Sequence, residues 1–163
     1  MRILTGVDEE KARYWFLVAA KVAEDSQCYK SKRGVIIIKD DRLIGKGSIY
    51  VPDDTYCKPC IREHIHDNSR IELCGGLHAE RMAIMDAKKV ERNLENTTMY
   101  HIKVKEGELR MSGKPSCTMC SREILSEKIG EFVLWHKEGI TAYTAKELND
   151  LSFQYFLKPL NTV

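Results

Sequence analysis

Hydrophobic and polar positions along this chain follow two different periods, which predict helices alternating with strands. Residues 8–25 carry a wide apolar face at helical spacing, and Asp8 is expected to cap this first helix. A β-branched run at 35–38, a charged turn and a second run at 43–51 follow it. Their pattern predicts a β-hairpin after the first helix.

The second half of the chain continues this alternation beyond a polar segment at 52–76 that is rich in Cys and His. Thr144 and Glu147 are spaced as a capping box for the last helix. The predicted elements after the segment are a helix at 78–92, a strand at 97–104, a loop at 107–116, a helix at 117–128, a strand at 131–136 and a helix at 144–156. Because strands separated by helices usually pair in parallel, this order predicts an α/β fold of three layers, an α/β/α sandwich.

The composition indicates one soluble globular domain over residues 1–163, with residues 52–76 as an insertion. The chain has 163 residues, of which 43% are hydrophobic and 31% are charged. Its formal net charge of +2 does not favour broad electrostatic binding to nucleic acid. No apolar run approaches the roughly 18–20 residues of a membrane-spanning helix. No signal peptide is evident, so we expect a cytoplasmic protein without a membrane partner.

Six cysteines include two Cys-x-x-Cys pairs. In a reducing compartment such pairs indicate metal or redox chemistry before disulfides. Cys117 and Cys120 lie one turn apart at the start of a predicted helix, and His78 lies at the start of another. Two helix N-termini could meet over one end of the sheet, where ligand sites in open α/β folds usually lie. We therefore expect these three residues to bind one zinc ion, with a fourth position open to water.

Glu80 follows His78 by two residues and is expected to contact that water without binding the metal. Zinc lowers the pKa of a bound water toward about 7, so hydroxide becomes available at neutral pH. A carboxylate beside the hydroxide can take the proton of the water and return it to a leaving nitrogen. The pattern therefore predicts a hydrolytic zinc enzyme with Glu80 as its catalytic residue.

The segments "HAE" and "PSCTMC" resemble the signature of the zinc nucleobase deaminases. The order of elements up to about residue 136 is also similar to the cytidine and deoxycytidylate deaminase superfamily, whose sheet is mixed, with an N-terminal hairpin and parallel later strands. The segment "ELCGGLHAERMAI", preceded by "CIREHI", is most similar to deoxycytidylate deaminases with a cysteine-bearing insertion. The resemblance implies conversion of dCMP to dUMP, in which zinc-bound hydroxide attacks C4 and Glu80 shuttles protons. Ser116 departs from the family pattern, because it separates the proline of the signature from Cys117.

The resemblance also implies roles in substrate binding. The backbone N–H of Ala79 would hold the ring carbonyl. Trp135, at the end of a predicted strand, is a candidate for stacking on the base, although an apolar strand end is more often core. Arg81 would either donate to the zinc thiolates, as in cytidine deaminases, or be solvated. Met82 and Ile49 occupy positions where the family carries Asn, so the resemblance leaves the identity of the substrate open.

Two other functions stay open. One is a base or tRNA adenosine deaminase, because the tRNA enzymes also carry Met at the position of Met82, although the nearly balanced charge argues against it. The other is a zinc-stabilised binding module without turnover, against which Glu80 argues. Residues 30–33 could meet a phosphate or form a solvated turn. His101 is expected to be structural.

The other four cysteines, Cys28, Cys57, Cys60 and Cys74, could bind a second, structural zinc, with His64 as a spare ligand. A metal would order a polar insertion that has little core of its own. Some deoxycytidylate deaminases that resemble this chain hold a second zinc through this region. The alternative is that some of these thiols are free or redox-active. Because family members are usually oligomers, a homo-oligomer is also expected.

Overall fold

The computed structural model describes residues 1–65 and 69–157. Within these ranges, four helices and seven strands are arranged in three layers. The elements are β1 (Arg2–Ile3), α1 (Gly6–Glu24), β2 (Lys32–Lys39), β3 (Arg42–Ser48), α2 (Ala79–Ala87), β4 (Thr98–Lys105), β5 (Glu108–Arg110), α3 (Thr118–Ser126), β6 (Glu131–His136), β7 (Gly139–Thr144) and α4 (Ala145–Leu157). The polar insertion also carries two short 3₁₀ turns, at Asp54–Tyr56 and Ile71–Leu73.

One mixed sheet contains the seven strands of the described ranges, in the order β1-β7-β6-β4-β2-β3, with β5 paired to the end of β4. β4 and β6 are parallel, whereas the other paired strands are antiparallel. This arrangement confirms the α/β class and the mixed sheet with an N-terminal hairpin. The predicted parallel pairing of the later strands is confirmed by β4 and β6, and the last strand, β7, adds an antiparallel partner to β6.

The predicted hairpin is formed by β2 and β3, which pair Gly34 with Ser48 at their open end. Its turn residues Asp40 and Asp41 have φ angles of 48° and 58°. Two consecutive left-handed residues match the right-handed twist of the flanking strands, and Asp tolerates this conformation better than most residues. β3 ends at Ser48, so the predicted strand at 43–51 was too long at its C-terminal end.

Three sequence predictions were wrong in detail. α1 begins at Gly6, and Thr5 occupies the capping position without a side-chain hydrogen bond, so Asp8 lies inside the first turn and is not the cap. β5 lies within the predicted loop at 107–116. β7 was not predicted, although its four central residues are buried and it pairs antiparallel with β6 through a tight turn. Both missed strands are short hairpin partners whose stability depends on the strand beside them.

The two faces of the sheet are covered by different helices. α1 packs on one face against residues that include Ile36, Ile102 and Val133. α2, α3 and α4 cover the other face, where Val35 and Leu134 lie in the core. This three-layer order agrees with the predicted sandwich. Of the helices in the described part of the chain, not one is both long enough and apolar enough to span a membrane.

The contact between α2 and β3 is unusually close because both elements use small residues. A Cβ atom added at Gly45 would lie 2.6 Å from the backbone oxygen of Ala83. At Gly47 such an atom would overlap the backbone oxygen of Ala79 and the nitrogen of Ala83. Glycine is therefore required at both positions for α2 to reach the sheet. This contact sets the position of the N-terminus of α2, where the candidate site begins.

The last helix starts as the sequence predicted. The backbone N–H of Glu147 donates to Thr144 Oγ1 at 3.2 Å, and the N–H of Thr144 donates to Glu147 Oε2 at 2.9 Å. This reciprocal pair is a capping box and satisfies donors that the helix itself leaves free. It confirms the predicted cap, and α4 then runs along the same face of the sheet as α3.

Candidate functional site

The three predicted metal ligands meet where two helices begin. His78 is the capping residue of α2, Cys117 is the capping residue of α3, and Cys120 lies in the first turn of α3. His78 Nδ1 lies 3.4 Å from Cys117 Sγ and 3.3 Å from Cys120 Sγ, and the two sulfur atoms are 3.1 Å apart. Cys117 and Cys120 follow His78 by 39 and 42 positions in the chain, yet the three side chains form one compact triangle.

This triangle fits the base of a tetrahedral zinc site. Zinc–sulfur and zinc–nitrogen bonds of about 2.3 and 2.0 Å require ligand atoms roughly 3.5–3.8 Å apart, close to the observed spacing. Among the described residues, His78, Cys117 and Cys120 are the one group of three such ligands whose donor atoms lie within 4.8 Å of one another. An imidazole with two thiols is a donor set that suits zinc and leaves one tetrahedral position for another molecule.

Hydrogen bonds within the triangle lower the pKa of one of its three residues and raise the pKa of the other two. The bond to Cys120 lowers the pKa of Cys117 to about 5, and His78 acts in the same direction. Contact with Cys117 and burial both raise the pKa of Cys120 well above its ordinary value. Burial lowers the pKa of His78, but hydrogen bonds to Cys117 and Cys74 raise it to about 10. One thiolate therefore already exists at neutral pH and can attract a cation.

Glu80 stands beside the triangle in the first turn of α2. Its residue surface is 9% exposed, so the carboxyl is largely withdrawn from bulk water. Burial raises the pKa of Glu80, but electrostatic interactions with His101 and His78 and a bond from its own backbone N–H lower it overall. The positive end of the helix dipole also favours a negative charge here. Glu80 is therefore ionised at neutral pH and able to accept a proton.

The triangle and Glu80 open into a cavity of about 300 Å³. Ala79, Ile49 and Phe132 contribute apolar or backbone surface to its wall. Five cationic residues from strands and loops also line it: Lys30, Arg33, Arg62, Lys103 and Lys114. In the described ranges Glu80 is the single carboxylate of the lining. The lining of the cavity therefore combines apolar side chains with five cationic residues and one carboxylate.

The structure does not bring Trp135 to this cavity. Its ring stacks on Phe16 of α1, with centroids 5.9 Å apart and planes at 26°, and the guanidinium of Arg13 lies 4.9 Å from the ring centre. Residues alternate across the sheet, so Trp135 faces α1 while Phe132 and Leu134 face the cavity. The expected stacking of Trp135 on a base is corrected accordingly. Phe132 is an aromatic residue of the cavity that the sequence analysis missed; alternation places it on the opposite face from Trp135, but only the helix packing shows which face carries the site.

The structure also shows the surroundings of two residues beside the signature. Arg81 is exposed and pairs with Glu123, with Nε and Oε2 3.3 Å apart. Met82 lines a separate depression between α2 and β3, together with Met85. Ile49, in contrast, is buried and lines both this depression and the cavity. Of the two departures from the family Asn positions, Ile49 is therefore the one that reaches the cavity.

The remaining cysteines converge on the insertion but form a looser group. Burial raises the pKa of Cys57, and the neighbouring Cys74, Cys60 and Cys28 raise it further, in that order. Cys57 and Cys60 form an isolated β-bridge, and the structure shows no disulfide at any of the four. Within the described ranges, no three of their sulfur atoms lie within 4.8 Å of one another. Cys74 also hydrogen-bonds to His78, so the group adjoins the candidate zinc site.

Known proteins share both the sequence pattern and the fold. Residues 9–136 match the family model for the cytidine and deoxycytidylate deaminase zinc-binding region. Deoxycytidylate deaminase of Saccharomyces cerevisiae is 27% identical over 123 residues, which are 74% of this chain but 36% of the yeast protein. The chain thus matches little more than a third of the length of that relative.

Two solved structures of dCMP deaminase from the cyanophage S-TIM5 have a similar fold. The apo form has a TM-score of 0.51 and 17% identity, covering 76% of this chain and 80% of the phage chain. The complex with dCMP and dUMP has a TM-score of 0.53 and 16% identity, covering 78% and 82%. Since the family match extends from α1 to the end of β6 and includes every ligand of the triangle, this chain belongs to the cytidine and deoxycytidylate deaminase zinc-binding family.

Proposed function

We propose that this protein is a zinc-dependent deaminase that hydrolyses the exocyclic C–N bond of a cytosine nucleotide, with dCMP, converted to dUMP, as the first candidate. One observation carries the proposal: a His-Cys-Cys triangle and a buried, ionised Glu80 share one small cavity. Family membership supports the same chemistry. The yeast relative is a deoxycytidylate deaminase, and a phage structure of similar fold contains dCMP and dUMP.

Each residue of the site has a defined task in this reaction. His78, Cys117 and Cys120 would hold the zinc ion. Zinc supplies Lewis-acid activation of water when it is bound. Glu80 accepts a proton from the attacking water and delivers it to the departing nitrogen, so that ammonia leaves. The backbone N–H of Ala79 is free of the helical ladder at the start of α2 and would donate to the ring carbonyl.

The charges around the cavity favour a phosphorylated substrate over a free base or nucleoside. Arg33 and Lys103 are directly opposite each other on β2 and β4. Burial lowers the pKa of Lys103, and the positive charges of Arg33 and Lys105 lower it further. In the described chain neither Arg33, Lys103 nor Lys114 forms an ion pair with a carboxylate. A phosphate placed among these cations would relieve their mutual repulsion.

The competing functions receive less support from the geometry. The tRNA adenosine deaminase alternative rested on Met82, which lies outside the cavity. Burying an ionised carboxylate such as Glu80 is costly. A zinc-stabilised module without turnover would gain nothing from this charge beside the open ligand position. We therefore retain the cytosine nucleotide deaminase as the single proposed function.

We further propose that the cysteine-rich insertion binds a second zinc ion through Cys28, Cys57, Cys60 and Cys74. Their mutual effect on the pKa of Cys57 supports their proximity, and four thiolates are a donor set typical of a closed, structural zinc site. Metal analysis tests this directly, since two zinc ions per chain are expected and one would exclude the second site. We also propose that the protein forms a homo-oligomer and is located in the cytoplasm.

An ammonia-release assay tests the function. The purified protein with zinc is incubated with dCMP, CMP, deoxycytidine, cytosine and adenosine. We expect ammonia from dCMP, and we expect Glu80→Gln to lower kcat by about 10²–10⁴-fold while zinc content is unchanged. Ammonia release by Glu80→Gln at the wild-type rate would refute the proposed role of the carboxylate.

The phosphate preference is tested with a matched pair of lysine variants. Lys103→Gln is expected to raise the KM for dCMP by about 10–100-fold and to leave the KM for deoxycytidine unchanged, because a charge-assisted hydrogen bond is lost. Lys105→Gln is the control, since Lys105 lies on the same strand but does not line the cavity. Equal effects of both variants on dCMP would contradict a phosphate subsite at Lys103.

A further inference from the structure

His101 is a titratable residue that is buried inside the sheet. It lies in the middle of β4, opposite Val35, and is 5% exposed. Its ring lies nearly parallel to Phe132, with planes at 25° and centroids 6.0 Å apart. Both rings line the cavity that contains Glu80. The sequence favoured a structural role, but a histidine in the wall of the candidate site calls for a chemical explanation.

Arg33 determines which nitrogen of His101 carries the proton. The distance between Arg33 Nη1 and His101 Nε2 is 3.3 Å. A guanidinium has donors and no acceptor, so Nε2 must accept and the ring proton must be on Nδ1. Arg33 is itself held by a hydrogen bond from its Nε to Ser31 Oγ at 3.1 Å. Burial lowers the pKa of His101 to about 4, so the ring is neutral at pH 7 with a defined tautomer.

The Nδ1–H group of His101 is a buried donor without an acceptor. Within the described residues this nitrogen has no hydrogen-bond partner and is sealed from bulk solvent. A buried unsatisfied donor costs about 1–3 kcal/mol, so native proteins seldom retain one without a reason. The imidazole lines the same cavity as Glu80, so a substrate bound there can supply the missing acceptor.

We propose that His101 is a specificity-determining residue whose Nδ1–H donates a hydrogen bond to an oxygen of the nucleoside part of the substrate, and that Arg33 positions it by fixing its tautomer. The inference rests on the proposed function and deepens it. Glu80 marks where the reacting ring carbon lies, and Arg33 and Lys103 mark where the phosphate lies. His101 contacts Arg33 and lines the same cavity as Glu80, so the ring and sugar that connect the two ends would pass beside it.

Substitutions that remove or replace the donor test this proposal. His101→Phe keeps a planar ring against Phe132 but has no donor. We expect it to raise the KM for both dCMP and deoxycytidine by about five- to tenfold, as the loss of one hydrogen bond requires. His101→Asn places an amide N–H near the position of Nδ1 and is expected to restore most of the affinity. Wild-type KM values for both substrates in His101→Phe would overturn the proposal.

The positioning role of Arg33 is tested with deoxycytidine, which has no phosphate. Arg33→Gln is expected to raise the KM for this nucleoside in the wild-type background and to have no such effect when His101→Phe is already present. Independent effects of the two changes, adding in the double variant, would show that Arg33 does not act through His101.

A spectroscopic measurement avoids any dependence on folding of the variants. In ¹⁵N-histidine-labelled protein with zinc, the resonances of His101 should report the Nδ1–H tautomer, and the Nδ1 signal should shift on saturation with dCMP. An Nε2–H tautomer, or an unchanged Nδ1 signal in the saturated protein, would overturn the inference. Failure of the proposed function is a separate result, because wild-type protein would then neither bind dCMP nor release ammonia from any cytosine compound.

Discussion

When no ion is bound, the three ligands of the candidate zinc site differ in protonation state at neutral pH. Cys117, with a pKa of about 5, has lost its proton at pH 7, whereas His78, with a pKa of about 10, retains one. Cys120 also retains its proton because its pKa is raised. Zinc binds the deprotonated forms of all three residues, so binding at neutral pH must release about two protons.

The affinity for zinc should therefore rise steeply with pH. Because two protons leave between pH 5 and pH 10, the association constant is expected to increase by up to about 100-fold per pH unit near neutrality. Competition with a chelator of known pH dependence measures this, and a pH-indicator dye counts the protons directly. The same affinity at pH 6 and pH 8 would contradict the proposed protonation of the triangle.

At the scale of elements, the site depends on how closely α2 approaches β3. The N-terminus of α2 carries His78, Ala79 and Glu80, and its position is set by backbone contact with Gly47. The N-terminus of α3 supplies the two thiols from the other side. A displacement of either helix by a fraction of the zinc–ligand distance would open the triangle, because metal bond lengths tolerate little variation.

Gly47→Ala tests this dependence. The added methyl would overlap backbone atoms of Ala79 and Ala83, which cannot rotate away, so we expect the free energy of unfolding to fall by about 1–3 kcal/mol and zinc affinity to fall with it. Gly113→Ala is the matched control for stability, since no atom lies within 4 Å of the position of its added Cβ. Denaturant unfolding of both variants decides the matter, and equal stability would show that α2 is not held by this contact.

At the scale of the whole molecule, a bound metal would link parts of the chain that otherwise meet only through packing. His78 belongs to the helix after the insertion, whereas Cys117 and Cys120 belong to the helix after β5. An ion shared among them stabilises the folded chain, because the unfolded chain does not present the three ligands together.

Removal of zinc should accordingly lower the Tm of the whole domain. Zinc at 1,000 times its dissociation constant contributes about 4 kcal/mol, which corresponds to roughly 8–16 °C for a chain of this size. Scanning calorimetry before and after dialysis against a chelator measures the shift. Zinc, but not magnesium, should restore the original Tm, since magnesium does not favour thiolate ligands. A Tm that is insensitive to the chelator would argue against the metal site.

Features that depend on residues close together in the chain were predictable from the sequence, whereas features that depend on distant segments were not. Capping of α4 by Thr144 and Glu147 was predictable because it involves residues three positions apart. The orientation of Trp135 was not predictable in the same way. A strand end shows which residues alternate, but the side of the sheet that faces the site depends on where α1 and α3 pack. The short strands β5 and β7 were missed because they exist through pairing with β4 and β6.

The sequence by itself determined the α/β class, the spacing of the metal-ligating residues and the kinship with zinc deaminases, because these are written in local periods and short motifs. Only the tertiary structure decided that Ile49, Phe132 and His101 reach the cavity while Met82 and Trp135 do not. It also decided that cations from separate segments of the chain line this one cavity. The physical reason is that such neighbours come from strand pairing and helix packing between distant segments, and no local pattern in the chain records them.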